Sequence, residues 1–106
     1  MPPLTPDARA RRLWRLLTKA AANRQTLTYA IVGEHLALPP IALGPVLTAI
    51  TDHCRRHRLP PLAVLVVQST TGRPGPGFSA STDIDRDRER VFARDWTAAP
   101  APAELA

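Results

Sequence analysis

Three proline breaks, at Pro39-Pro40, Pro60-Pro61 and Pro74 to Pro76, divide this chain more firmly than any other feature of its sequence. Proline locks its own φ, removes a backbone donor and pushes the preceding residue out of the helical region. Each break therefore ends the element that leads into it. The 12 prolines in 106 residues read as punctuation between elements rather than as a sign of disorder. At that length a single domain is expected. The spacing places a tail over 1–6, one domain over 7–96 and an Ala/Pro tail over 97–106.

Between the breaks the apolar pattern is mostly helical. Ala10, Leu13, Leu16, Leu17 and Ala20 recur at helical spacing from Asp7 to about Asn23, and Trp14 at the stripe's border reads as a packing anchor. Leu27-Thr28-Tyr29 reads as a short strand or helix entry, and Ala30–Leu38 as a short second helix. A third helix opens near Ile41, with Leu43, Val46, Leu47, Ile50 and Cys54 on one face, and ends in Arg55-Arg56-His57-Arg58. Leu62–Val67, apolar and β-branched, predicts a buried strand. The glycines and prolines from Gly72 to Gly77 predict a turn, with Phe78–Ser81 returning as the second strand of a hairpin. Thr82 and Asp85 have the spacing of a capping box for a last helix reaching Trp96. In that helix Asp85–Arg88 and Asp87–Arg90 are expected to pair at i, i+3, as on a solvated face. The expected class is α+β and mostly helical, a winged helix-turn-helix-like domain with a C-terminal helix.

Charge narrows the partners. The chain carries a formal +5, and the surplus lies in residues 1–75, where ten basic and three acidic side chains leave +7. An anionic partner follows, with DNA first and an acidic protein surface as the alternative. RNA and a second copy of the chain stay open. The phosphate-contacting candidates are Arg11, Arg12, Arg15 and Lys19 on the first helix, Arg55, Arg56 and Arg58 at the end of the third, and Arg73 at the hairpin tip. The third helix opens with Ala42, Pro45, Thr48 and Ala49 facing outward, and none of these reads base edges as Arg, Asn or Gln do. Backbone contact is expected rather than sequence reading. In the alternative, Ile41, Ala42 and Pro45 form the apolar contact surface for a protein, as in accessory or inhibitor proteins of mobile elements and defence systems.

Thr28-Tyr29, Leu36-Ala37-Leu38-Pro39, Ala42-Leu43-Gly44, Leu59-Pro60-Pro61-Leu62 and Gly72 to Phe78 together resemble the DNA-binding domain of the alkylguanine-DNA alkyltransferases and alkyltransferase-like proteins. The resemblance spans 28–78, about half the chain. That family has a winged helix, and its tyrosine acts at the phosphate of a flipped nucleotide, so the resemblance implies that role for Tyr29. The family's arginine finger falls on Ile41 here, and its Cys-His-Arg acceptor motif on Val64, Leu65 and Val66. Alkyl transfer needs a thiolate, which that register lacks. The resemblance thus implies a scaffold without the chemistry.

No cofactor is expected. His53 and His57 share a helix face at i, i+4, but three neighbouring arginines would repel a metal cation, so no metal site is expected. Cys54, the only cysteine, reads as a small core side chain. No Ser–His–Asp or paired-carboxylate arrangement stands out, which points to a non-enzymatic protein. The first residues lack the pattern of a secretory signal and no apolar run approaches the roughly 20 residues of a membrane span, so a cytoplasmic location without membrane contact is expected.

Overall fold

The computed structural model describes residues 5–75 and 83–96. Four α-helices carry the architecture: α1 (Pro6–Ala22), α2 (Tyr29–Leu36), α3 (Gly44–Arg56) and α4 (Ile84–Ala93), with two-residue strands β1 (Leu27–Thr28) and β2 (Val66–Val67). Helix α1 begins earlier than its apolar pattern predicts. Thr5 caps it, its hydroxyl accepting from the Ala8 N–H at 3.1 Å, and Pro6 occupies the first turn, where its missing N–H costs nothing. Thr5 and Pro6 therefore belong to the domain, not to a tail.

Thr28 likewise caps α2 through Ile31. After Leu38 the chain passes Pro39 into a 3-10 turn, Pro40–Leu43, and so into α3. The junction is tight: a Cβ on Gly33 would lie 2.6 Å from the Leu38 carbonyl oxygen, so only glycine fits there. Helix α2 and the Pro40–Arg56 segment meet at 80°.

The run predicted as a six-residue strand is mostly something else. Leu62–Leu65 forms a 3-10 turn, tied by the Val64 N–H to the Pro61 carbonyl at 3.1 Å, and only Val66 and Val67 are extended. Pro61 starts a turn, and side chains buried on every side need no alternation, so a continuous apolar run does not separate turn from strand. The strands pair in parallel, Leu27 with Val66 and Thr28 with Val67. The expected return strand, Phe78–Ser81, and the expected cap, Thr82, lie outside the described residues. Asp83 caps α4, accepting from the Arg86 N–H at 3.1 Å.

Leu13, Leu17, Val32, Leu36, Leu43, Ile50, Leu62, Leu65 and Val91 fill one core. Each such side chain contributes roughly 1.5–3 kcal/mol by leaving water. Trp14 is at its centre, T-shaped against His53 (5.3 Å between ring centres) and Trp96 (5.7 Å). Trp96 donates its indole N–H to the Val91 carbonyl at 2.8 Å, fastening the end of α4. No single helix among the described residues is long and apolar enough to cross a membrane.

The ends of the first three helices share one device. Past α1, Arg24 has φ of +52°; past α2, Ala37 has +56°; past α3, Arg58 has +56°. At each, the next residue's N–H reaches back over the turn: Gln25 to Ala20, Leu38 to Gly33 and Leu59 to Cys54, at 2.8–2.9 Å. This is the Schellman closure, and its left-handed position favours glycine. None of the three is glycine.

Candidate nucleic-acid interface

Helical spacing puts Arg12, Arg15 and Lys19 along the outward ridge of α1, opposite Leu13 and Leu17, and all three are exposed. Arg12 donates to the His35 carbonyl at 3.2 Å, which ties α1 to the end of α2. Arg11 stands 3.2 Å from Asp7 one turn back. Arg15 and Lys19 make no side-chain ion pair with any described residue.

The cations that end α3 divide between two flanks of that helix. Arg55 and Arg58 line a cleft of about 450 Å³ that α4 closes with Asp87 and Arg90. Arg56 lines a second depression, about 390 Å³, with Pro6, Pro45, Thr48, Ala49 and Asp52. Arg55 lies 3.7 Å from Asp52, an exposed pair of little energetic weight. Arg56 and Arg58 have no ion pair among the described residues. The three arginines, adjacent in sequence, do not form one patch.

Arg73 differs from its expected role as a cation at the hairpin tip. Its guanidinium is 3.5 Å from Asp85 of α4, while Arg88 donates to the Gly72 carbonyl at 2.9 Å. The predicted Asp85–Arg88 pair is thus exchanged for two contacts that hold α4 against the turn after β2. The predicted Asp87–Arg90 pair is present at 3.6 Å, but Asp87 is only 7% exposed, so this face of α4 is not fully solvated. Val91 sits one turn further on, and packing of that face onto the core carries Asp87 inward.

Tyr29 is half-buried, and its phenol oxygen accepts from the Gly75 N–H at 2.9 Å. A Cβ on Gly75 would come within 2.8 Å of that oxygen, so glycine permits the contact. A phenol that accepts one bond keeps its own proton to donate. Tyr29 thus holds the turn after β2 and can still donate to an anion.

Around the start of α3, Ile41 is 93% exposed, Pro45 is exposed and Ala42 half-buried. Val64, Leu65 and Val66, which stand at the alkyltransferase acceptor register, are entirely buried. Cys54 is 1% exposed, and burial pushes its thiol up, away from the thiolate a nucleophile needs. His53 and His57 lie with ring centres 4.3 Å apart, and no cluster of three metal-ligating side chains occurs among the described residues. Burial holds His53 below the ordinary histidine range, and the nearby His57 and Arg56 add to that.

The left-handed conformation of Arg58 and the place of Arg90 on the cleft wall escaped sequence reasoning. Arg90 was hidden by its i, i+3 pairing with Asp87. No protein-family model matches this sequence, and no curated protein or solved structure matches it.

Proposed function

We propose that this chain is a non-enzymatic, winged-helix-like DNA-binding protein that holds duplex DNA by its phosphates and reads little sequence. The observation that carries the reading is that Arg15, Lys19, Arg56 and Arg58 are exposed with no ion pair among the described residues, on α1, at the end of α3 and just past it, where α1 and α3 pack directly on one another. Phosphate contact requires uncompensated, accessible charge, whereas base reading requires polar groups that the start of α3 lacks. The 80° meeting of α2 with the segment containing α3, across a short turn, supports the helix-turn-helix part of this reading. The resemblance to the alkyltransferase DNA-binding domain supports it as a scaffold, with Tyr29 as a further phosphate donor.

The test is fluorescence anisotropy with a random-sequence duplex. Binding at low salt is expected, with log affinity falling against log salt at a slope of roughly −0.9 per phosphate contacted. Changing Arg55, Arg56 and Arg58 together to alanine is expected to weaken it sharply. An absence of binding at low salt, or indifference to that triple change, overturns the proposal.

A second reading follows from Ile41. An isoleucine this exposed, beside Ala42 and Pro45, suits an apolar contact with an acidic protein. Loss of a captured partner on Ile41→Asp, with duplex binding absent throughout, selects this reading over the first.

A further inference from the structure

The cleft between the end of α3 and α4 gathers residues from two elements that sequence keeps far apart. Arg55 and Arg58 stand on one wall and Arg90 on the other, with Thr51, Cys54 and Leu59 between them. The buried carboxylate facing them is Asp87, 3.6 Å from Arg90, and Arg55 has Asp52 at 3.7 Å on its outer side. Of these three arginines, Arg58 alone has no ion pair among the described residues. Its volume of about 450 Å³ is within the range of pockets that hold small ligands.

The backbone fixes the point from which the Arg58 side chain leaves α3. Arg58 occupies the left-handed position of a Schellman closure, held by its own N–H to the Arg55 carbonyl at 3.3 Å and by the Leu59 N–H to Cys54 at 2.8 Å. Any residue but glycine is strained there. Strain by itself marks no site, since Ala37 takes the same conformation. Arg24 does so too, but its guanidinium bonds both oxygens of Glu89 and covers the ring of Phe92 at 5.0 Å. The Arg58 side chain, by contrast, makes no hydrogen bond or ion pair with any described residue.

We infer that the α3–α4 cleft is a phosphoryl-binding seat, in which Arg58 and Arg90 grip the phosphoryl oxygens from opposite walls and Arg55 adds charge at the rim. Planar guanidinium forks match phosphoryl oxygens in pairs, which is the chemistry this wall composition offers. The inference rests on the phosphate-binding reading above and names the place where one phosphoryl group is held. The group can come from the duplex backbone or from a small phosphorylated molecule, and the two sources are separable.

The experiment is an NMR titration of the full chain with inorganic pyrophosphate, run beside anisotropy with the random duplex. Saturable shifts are expected at the amides of Thr51, Arg58 and Leu59 and at the Arg90 side chain. Arg58→Gln should raise the pyrophosphate Kd about tenfold or more, and Arg90→Lys, which keeps the charge beside Asp87 but loses the fork, about threefold. Thermal melts without ligand check that both variants fold as the parent does. Shifts that never saturate, or that spread equally to Arg15 and Lys19, overturn the seat, as does parental binding by both variants. Duplex binding without pyrophosphate shifts in the cleft sinks the seat alone. Cleft shifts without duplex binding sink the duplex reading and leave a seat for a small phosphorylated ligand.

Discussion

Arg24 and Arg58 are the same residue in the same conformation at the ends of two different helices, and they do opposite things. Arg24, past α1, reaches across the surface to α4: its guanidinium donates to both Glu89 oxygens at 2.8–2.9 Å and lies over Phe92, so it fastens α4 to the body of the domain. Arg58, past α3, makes no ion pair with any described residue and lines an open cleft. Both pay the strain of φ near +55° that glycine avoids. At Arg24 the side chain makes a structural contact, and at Arg58 it makes none with the described residues. Two cations that composition counts equally thus divide into one that holds the fold and one that is available to a ligand.

The comparison breaks most visibly in binding. Changing Arg56 and Arg58 together to glutamine should lower affinity for random duplex at low salt by about ten- to a hundredfold, and flatten the salt slope by nearly two. Arg24→Gln should leave that affinity and slope as they are. Equal losses from the two ends would show that only overall charge matters.

A smaller effect runs the other way in stability. Arg24→Gln removes a two-pronged but exposed ion pair and a cation–aromatic contact, and should cost about 0.5–1 kcal/mol in a denaturant melt. Arg58→Gln should cost nothing measurable.

The least of the three is a pH effect peculiar to the α3 end. Burial lowers the pKa of His53 in the fold, so the unfolded chain takes up its proton first as pH falls. Stability from this group is complete above the ordinary histidine value of about 6.5 and is lost as pH drops below it. His53→Gln should remove that acid-side slope from a pH series of thermal melts. An unchanged slope would separate His53 from it.

The sequence made α1 and α3 legible because their apolar stripes are long and regular, and Trp14 reads correctly as a core anchor from its place beside Leu13 and Leu17. It also exposed the charge deficit at the start of α3. What it hid has a common physical cause. Helix ends are sought by glycine, and Arg24, Ala37 and Arg58 close theirs without it. The 3-10 turn at Leu62–Leu65 has the composition of a buried strand, because burial on all sides erases the alternation that tells the two apart. In α4, local i, i+3 arithmetic paired Asp85 with Arg88, whereas long-range contacts with the turn after β2 claim both. The same arithmetic made Arg90 look spent, although the fold brings it across the cleft from Arg58.

The most direct test of the contrast between the two arginines is Arg58→Gly, read in two ways on one preparation. Glycine relieves the left-handed strain, so the account predicts a gain of about 0.5–1 kcal/mol in a denaturant melt, together with at least about tenfold weaker binding to random duplex at low salt. A more stable protein that binds duplex as tightly as its parent would contradict it, because the Arg58 side chain would then hold no phosphate.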